Sequence, residues 1–328
     1  MNRPQLVVWT GIVATALASA SSAVLPSGAA PAKTAVSSPS TLPVASAPAG
    51  APAIPASEIA AHGRPERLRL QSSVALVRDD SDGTVMLAHN ADEPRPIASL
   101  TKLMTAVVVL DALQPLEEPI EITREDRDRL KGSRSRLPFG AVLTRRELLH
   151  VALAASDNRA AAALGRRFPG GTAALVRAMN AKARELGMTR TRFVDPTGLD
   201  KGNVSTANDL ARLVTHLEHY HLIRALSTST ELTVFNQHNG QVIEFFNTNP
   251  YTRKVGWRVG LSKTGYIAES GNCLLMTGVI NDRPVTLVLL NSWGKLSRYG
   301  DSNRVRDWLI RTEHLIEHNN GTVARASL

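Results

Sequence analysis

A serine and a lysine three residues apart are the first pair in this sequence that could carry out nucleophilic chemistry. Ser99 follows the polar segment 93–96 and precedes an apolar run, so it stands where a helix is expected to begin. Lys102 would lie one turn further along the same face, within reach of the hydroxyl. A lysine can remove the serine proton only when burial or a second cation keeps it neutral. The pair could equally be a helix cap beside a solvated lysine. It therefore predicts catalysis only if other reactive groups in the sequence support it.

The second group of interest is Ser156-Asp157-Asn158, which falls in a break between two stretches with helical periodicity. Such a break can direct short polar side chains into a cleft. There the Ser156 hydroxyl could relay a proton, and the Asn158 amide could donate and accept hydrogen bonds at once. The other interpretation is an ordinary helix cap, which all three residue types favour.

The third group, Lys263-Thr264-Gly265, closes a predicted strand over residues 257–263. Lys263 and Thr264 could receive a substrate carboxylate, and Gly265 would let a substrate backbone lie against the strand edge. The backbone N–H of Tyr266 could then face the same carbonyl oxygen as the N–H of Ser99, and two such donors make an oxyanion hole. The alternative is a solvated lysine and a turn glycine at a strand end.

The elements that must position these groups are predicted as strands, then helices, then strands and a last helix. Strand patterns occupy residues 68–77, 84–88, 241–246, 257–263, 272–280 and 285–290. The last helix is predicted over 301–318, with Val305, Trp308, Leu309 and Leu315 facing inward. This order predicts an α+β fold in which N- and C-terminal strands share one antiparallel β-sheet. Helices flank the sheet, an all-helical lobe is inserted between its strands, and the cleft between sheet and lobe is the default site.

The ends of the chain read as segments outside the fold. Residues 1–23 combine one positive charge, an apolar run and small residues, which predicts a secretory signal peptide and a periplasmic protein. Residues 24–66 are rich in Pro, Ala and Ser and predict a disordered linker. The catalytic domain is expected over 67–318, and 319–328 is expected to be a flexible tail. Contact with a membrane is expected only through an uncleaved signal.

Composition limits the function classes. The net charge is +9, which suits an acidic polymer, but only 4% of residues are aromatic, which disfavours nucleic-acid binding by base stacking. The single cysteine, Cys273, excludes an intrachain disulfide and stands in an apolar run, so it is expected to be buried and inert. The histidine and cysteine spacings indicate no metal site, and no cofactor is expected.

The three groups in this order resemble the signature of penicillin-binding proteins and serine β-lactamases. Further stretches resemble the D-alanyl-D-alanine carboxypeptidase family of low-molecular-mass penicillin-binding proteins, serine peptidase family S11, over about residues 72–308. They are IASLTKLMT (97–105), GSRSRL (132–137), SDNRAA (156–161), MNAK (179–182), FVDPTGL (193–199) and NVSTAND (203–209). Within the family the sequence is most similar to the D-alanyl-D-alanine endopeptidase branch, the penicillin-binding protein 7 type. The predicted elements after Gly265 leave no room for the β-rich domain and C-terminal anchor usual in the carboxypeptidases.

The resemblance implies a fold of the DD-peptidase and serine β-lactamase type and a serine DD-endopeptidase. Such an enzyme would cleave D-alanyl cross-links between peptidoglycan stem peptides through a Ser99 acyl-enzyme, with β-lactam antibiotics as acylating inhibitors. It assigns catalysis to Ser99, Lys102 and Ser156. It assigns substrate binding to Asn158, Lys263, Thr264, Gly265 and Tyr266.

Three alternative functions stay open on the sequence alone. A DD-carboxypeptidase would remove a terminal D-alanine from the same peptides. A serine β-lactamase is disfavoured, because no Glu-x-x-Leu-Asn pattern follows Ser-Asp-Asn. A non-catalytic wall-binding protein is disfavoured, since every reactive residue is present.

Three positions depart from the family pattern. Ile267 and Ser270 stand where the family usually has Thr and Ala, which puts substrate hydrogen bonding at that strand edge in doubt. Asp157 is less usual than glycine in the carboxypeptidases and is similar to the β-lactamase pattern.

Overall fold

The computed structural model of the protein describes residues 54–254 and 256–326, with side chains described as far as residue 320. The predicted signal peptide and most of the predicted linker lie outside these residues. None of the described helices is both long and apolar enough to cross a membrane.

The described chain contains eleven β-strands. They are β1 Ser72–Asp79, β2 Val85–His89, β3 Arg95–Pro96, β4 Pro119–Glu121, β5 Val142–Thr144, β6 Val204–Ser205, β7 Glu231–Phe235, β8 Val242–Phe246, β9 Arg258–Ile267, β10 Gly271–Ile280 and β11 Arg283–Ser292. The short β3 to β7 are additional to those predicted. The α-helices are α1 Ala56–His62, α2 Thr101–Asp111, α3 Arg145–Ala154, α4 Asn158–Arg166, α5 Gly171–Glu185, α6 Ala207–Leu217, α7 His221–Thr228 and α8 Ser297–Ala326.

One antiparallel sheet of five strands organises the domain, in the order β2-β1-β11-β10-β9. Strand β1 pairs with β11 in a register that sets Val77 opposite Leu287. The N-terminal strands therefore share a sheet with the C-terminal ones, as predicted. This arrangement makes β9, which carries Lys263-Thr264-Gly265, an edge strand with one side free for other partners.

The two faces of the sheet are buried against different helices. Val74 and Leu76 point into the core formed with the helical lobe. Ala75 and Val77, on the alternate face, pack in a second core with Trp308 of α8. Because successive side chains of a strand point to opposite faces, the lobe and α8 lie on opposite sides of the sheet.

The lobe between β2 and β9 is mainly helical and is built around α2. Residues 101–109 of α2, TKLMTAVVV, are all buried. Six of them are apolar, so their burial is expected, whereas Thr101, Lys102 and Thr105 are buried polar residues. A capping box precedes α3, with Thr144 accepting from the Glu147 N–H and the Glu147 carboxylate accepting from the Thr144 N–H.

The N-terminal boundary differs from the prediction. The linker was expected to reach residue 66, but α1 occupies Ala56–His62 and its Ile59 is fully buried. The Trp308 indole Nε1 donates a 2.6 Å hydrogen bond to the Gly63 carbonyl just after α1. A seven-residue helix has little stability alone, so its order comes from this tertiary packing, which composition does not reveal.

The C-terminal helix is longer than predicted, and Val305, Trp308 and Leu309 are buried in it as predicted. Helix α8 begins at Ser297 and continues to Ala326, past the predicted ends at 301 and 318. Leu315 was predicted to face inward, but its side chain is 63% exposed. Ile316 takes the buried place next to it. The inward prediction for Leu315 is therefore wrong by one position.

Two strand predictions also change. Strand β8 pairs with β7 in a separate hairpin, outside the main sheet. The sequence patterns do not predict β7. Strand β9 was expected to end at Lys263-Thr264-Gly265, but it continues to Ile267. The third group thus lies within an edge strand, where backbone groups stay aligned, and not at a strand end.

Candidate active site

Ser99 lies in a single 3₁₀ turn, Ala98–Leu100, that leads into α2. The serine is half-buried, while its neighbours Ala98 and Leu100 are buried. Lys102, in the first turn of α2, places Nζ 2.8 Å from the Ser99 Oγ. The predicted contact between hydroxyl and amine is therefore present, with a 3₁₀ turn where a regular helix start was expected.

The Lys102 amine has three polar contacts and almost no exposure to water. Its side chain is 1% exposed. Besides Ser99, Nζ lies 2.7 Å from the Asn158 Oδ1 and 2.6 Å from the Thr197 carbonyl oxygen. These two atoms only accept hydrogen bonds, and a neutral amine has two N–H groups to give them. The nitrogen lone pair is then left for the Ser99 hydroxyl, which is the arrangement a general base needs.

Burial is the main cause of the low basicity of this amine. It lowers the pKa of Lys102 from its ordinary value to about 7, against the opposing fields of Asp195, Asp157 and Asp128. The Lys263 amine also interacts with Lys102, because burial and then the charge of Lys102 lower the pKa of Lys263.

The Thr197 carbonyl was not identified from the sequence, although the surrounding FVDPTGL stretch contributed to the resemblance. The Asp195 carboxylate holds this loop by accepting from the N–H groups of Thr197, Gly198 and Asp200. Gly198 has φ +82°, and a Cβ there would lie 1.9 Å from the Ala98 carbonyl oxygen. Only glycine permits this approach, which brings the loop against the Ser99 turn.

The break between α3 and α4 positions Asn158 and Ser156 differently. Asp157 is the N-cap of α4, its carboxylate accepting from the Ala160 N–H, so the capping interpretation holds for this residue. Asn158 contacts Lys102 through Oδ1 and donates from Nδ2 to the Ser133 Oγ at 2.8 Å. Ser156 is half-buried with φ +60°. Its hydroxyl has no hydrogen-bond partner in the described chain, so the structure does not join it directly to Lys102.

Strand β9 passes beside the Ser99 turn. A Cβ on Gly265 would lie 3.0 Å from the Ile97 carbonyl oxygen and 3.1 Å from the Ser99 backbone nitrogen. Lys263 is 1% exposed, and its Nζ donates to the Thr264 carbonyl at 3.2 Å. The Thr264 hydroxyl donates to the Thr248 hydroxyl at 2.7 Å.

At the end of β9, Tyr266 and the two departures from the family pattern have distinct surroundings. The Tyr266 side chain is 63% exposed. Ile267 is buried, and the Ser270 Oγ accepts from the Ile267 N–H at 3.1 Å in the turn to β10. The Ser270 hydroxyl is thus used to hold a turn. The buried Ile267 side chain supplies no hydrogen bond to a substrate.

The remaining expectations concern Cys273 and metals. Cys273 is fully buried, and burial raises the pKa of its thiol, which keeps it an inert part of the core. Within residues 54–254 and 256–326, no group of three or more His, Cys, Asp or Glu side chains is placed to hold a metal ion.

The sequence matches the family described as D-alanyl-D-alanine carboxypeptidase, peptidase S11, over residues 60–294. The chain belongs to this family of serine peptidases. It is 45% identical over 259 residues to a D-alanyl-D-alanine endopeptidase of Pseudomonas aeruginosa, covering 79% of this chain and 84% of that protein. It is 42% identical over 240 residues to a D-alanyl-D-alanine endopeptidase of Escherichia coli, covering 73% and 77%.

Solved structures agree with the fold. The Streptomyces K15 DD-transpeptidase superposes with a TM-score of 0.69 at 23% identity, covering 74% of this chain and 98% of that one. Penicillin-binding protein D2 of Listeria monocytogenes, in its cefotaxime-bound form, gives a TM-score of 0.65 at 29% identity, covering 74% and 99%. The predicted α+β fold of the DD-peptidase type is confirmed.

Proposed function

We propose that this serine peptidase is a DD-endopeptidase that opens D-alanyl cross-links of peptidoglycan through an acyl-enzyme on Ser99. The observation that carries the proposal is the buried Lys102 amine, with a pKa of about 7, lying 2.8 Å from the Ser99 hydroxyl. The two relatives named D-alanyl-D-alanine endopeptidase support the substrate class.

Acylation begins when neutral Lys102 takes the hydroxyl proton of Ser99 and Oγ attacks the carbonyl carbon of the penultimate D-alanine. The N–H groups of Ser99 and Tyr266 stabilise the oxyanion of the tetrahedral intermediate. The C–N bond then breaks, and the proton held by Lys102 passes through the Ser156 hydroxyl to the leaving amine. Ser156 makes no competing hydrogen bond in the described chain, so its hydroxyl can turn towards the substrate. Water finally hydrolyses the ester and regenerates Ser99.

Substrate binding falls to Asn158 and to strand β9. Asn158 holds the donor peptide backbone, and Gly265 lets that backbone lie along the free edge of the strand. Lys263 and Thr264 receive a carboxylate. Burial lowers the pKa of Lys263, and a carboxylate bound beside it would raise that pKa.

The leaving amine distinguishes the two activities that this chemistry allows. In a cross-link it belongs to a neighbouring stem peptide, whereas in a carboxypeptidase reaction it belongs to free D-alanine. The matching family is described as D-alanyl-D-alanine carboxypeptidase, so the test below compares both activities. β-Lactams are proposed as acylating inhibitors of Ser99, which the cefotaxime-bound structural relative supports.

The direct test combines labelling and digestion. Fluorescent penicillin is expected to label the protein and to fail with Ser99→Ala; labelling that survives this change would refute the nucleophile assignment. Purified cross-linked dimers and monomeric pentapeptides are then digested and separated by chromatography. Faster cleavage of dimers supports the endopeptidase, and cleavage of pentapeptides alone supports the carboxypeptidase.

The cellular location is part of the same proposal. The sequence of residues 1–23 supports export to the periplasm, where peptidoglycan lies. Cell fractionation with N-terminal sequencing of the mature protein tests it. A cytoplasmic protein that retains Met1 would contradict both export and access to the substrate.

A further inference from the structure

A loop of the lobe, residues 124–139, borders two cavities beside the Ser99 site; we name it the arginine loop. The first cavity, of about 330 Å³, is lined by Asn158 and Thr197, the residues that contact the Lys102 amine. The second, of about 540 Å³, is lined by Arg124, Arg127, Asp128, Arg129, Gly132 and Phe139. The residues 127–129 line both cavities, so the second adjoins the first on the side away from the site.

Two of the three acidic side chains of the arginine loop, Asp126 and Asp128, are engaged within the protein, whereas Glu125 is exposed. Asp126 is buried and forms an ion pair with Arg166 at 2.9 Å. Asp128 accepts hydrogen bonds from the backbone N–H groups of Leu130, Lys131 and Ser133. These bonds stabilise the fold of the loop and occupy the carboxylate oxygens.

The three arginines of the loop that line the second cavity are not engaged in this way. Arg124, Arg127 and Arg129 are exposed, and their guanidinium groups make no ion pair or hydrogen bond with any residue of the described chain. In the second cavity three free guanidinium groups therefore face one carboxylate that is already bonded. The first cavity is lined by four carboxylates and three arginines: Glu125, Asp126, Asp128 and Asp195 against Arg127, Arg129 and Arg166. Of the two cavities, the second therefore has the more positive set of lining side chains.

The arginine loop is held in a fixed relation to the catalytic centre. Ser133 donates its N–H to Asp128 and accepts from the Asn158 Nδ2, whose Oδ1 contacts Lys102. Lys131, also in the arginine loop, forms an ion pair with Glu269, which lies in the turn after β9 on the other side of the cleft. A loop fixed at two points can present charged groups to a substrate without first ordering itself.

We propose that the arginine loop is a subsite for free carboxylates of the peptide substrate that lie beyond the scissile bond. This inference rests on the proposed function, which supplies a peptide running through the cleft. A guanidinium group matches a carboxylate with two parallel hydrogen bonds, which a lysine cannot do. The exposed Phe139 ring, with Arg159 4.1 Å above its centroid, gives the aliphatic part of such a residue an apolar surface.

The test measures peptide binding on the Ser99→Ala background, so that no turnover occurs. Two synthetic stem peptides are compared by calorimetry, one with free side-chain carboxylates and one with the same carboxylates amidated. The test variant is Arg127→Gln with Arg129→Gln, which removes two charges and keeps polar side chains. The matched control is Arg311→Gln, an exposed arginine of α8 on the opposite side of the sheet.

The double variant is expected to weaken binding of the free-carboxylate peptide by about 10-fold or more, as loss of charge-assisted hydrogen bonds implies. Binding of the amidated peptide is expected to change by less than about 2-fold, and the control variant by a similar small factor for both peptides. Equal weakening for the two peptides would indicate a structural role and overturn the inference. An unchanged affinity for the free-carboxylate peptide would overturn it as well.

Failure of the proposed function has a different signature. Fluorescent penicillin labelling of the protein with Ser99 intact reports on the nucleophile and base alone. If that protein is not labelled, the proposed acyl-enzyme is wrong. If it is labelled and the peptides are not discriminated by the arginines, only the arginine-loop subsite is wrong.

Discussion

At the scale of single residues, the decisive property is the neutrality of one buried amine. Lys102 is fully enclosed, and its neighbours offer acceptors to two N–H groups without placing a carboxylate in direct contact with Nζ. Folding thus disfavours the ammonium form, and between pH 7 and 10.5 the unfolded chain binds this proton while the folded chain does not. Lys102 therefore makes stability rise with pH in that window, the reverse of the effect of a salt-bridged lysine.

The pH dependence of acylation follows from the same amine. Since the base is neutral above its pKa of about 7, the rate of penicillin labelling should rise through pH 7 and level off above it. Asn158→Asp places a carboxylate against Nζ and should raise the pKa of Lys102 by about 1–3 units. The rate at pH 7 should then fall about 5-fold or more, because a smaller fraction of the amine is neutral. Second-order labelling rates measured from pH 5.5 to 9.5 give both midpoints.

Asn158→Ala is the control for this change, because it removes the same contact and adds no charge. Both variants lose an interaction with Lys102, so the rates alone do not separate them. Only the aspartate should move the midpoint to higher pH. Identical midpoints in the two variants would show that the base is not the amine next to residue 158.

At the scale of elements, three segments that are distant in sequence meet at the Ser99 turn. The Ser99 turn and the start of α2 carry the proposed nucleophile and base, the 193–199 loop supplies a carbonyl, and β9 lies against the backbone of residues 97–99. Two of the contacts depend on the missing side chain of a glycine, at Gly198 and at Gly265. The geometry of the site is therefore set by backbone approach as much as by reactive side chains.

Gly198→Ala tests this dependence. The added Cβ would fall 1.9 Å from the Ala98 carbonyl oxygen, so the loop must move away and draw the Thr197 carbonyl from Lys102. We expect a stability loss of more than about 3 kcal/mol, and a labelling rate at least about 10-fold lower in the protein that still folds. Urea unfolding and the labelling rate measure the two effects.

Gly83→Ala is the matched control. Gly83 has φ +78° in the turn between β1 and β2, with nothing within 4 Å of an added Cβ. The Gly83→Ala substitution should therefore lower the free energy of unfolding only by the cost of a left-handed backbone, about 1–2 kcal/mol. It should leave the labelling rate unchanged. If Gly198→Ala costs no more than Gly83→Ala, the close approach is not what positions the loop.

How far the sequence predicts these elements depends on where their stability originates. The main sheet and α2 were predicted because long apolar runs with turn signals specify them locally, and Ser99, Lys102 and Asn158 were found because residue types reveal side-chain chemistry. The Thr197 carbonyl was missed because every residue has one. Helix α1 and strand β7 were missed because both are short, and tertiary contacts decide their structure.

At the scale of the whole molecule, the two ends of the domain are joined on the face of the sheet away from the lobe. Arg283 of β11 is buried between Asp79 of β1 and Glu313 of α8, and also donates to the Ile54 carbonyl before α1. Helix α8 covers the same face and binds the end of α1 through Trp308. The segment 54–66 is thus part of the folded domain, although its composition reads as a linker.

The boundary of the domain is therefore a prediction about stability. A chain shortened to begin at Arg67 loses the burial of Ile59 and Ala56 and the bond from Trp308, whereas one that begins at Ile54 keeps all three. Full burial of one isoleucine contributes about 1.5–3 kcal/mol, so the chain from Arg67 should be less stable by at least about 3 kcal/mol. Urea unfolding of the two shortened chains gives this difference.

Point variants of the full-length chain separate packing from chain length. Ile59→Ala should cost about 2–5 kcal/mol, because it leaves a cavity under α1, while Ser57→Ala on the exposed side of the same helix should change stability by less than about 0.5 kcal/mol. Penicillin labelling of the folded Ile59→Ala protein should match the unaltered protein, since α1 packs on the face opposite the lobe. Equal stability of Ile59→Ala and Ser57→Ala would mean that α1 is not docked, and the folded domain would then begin near residue 67 as its composition indicates.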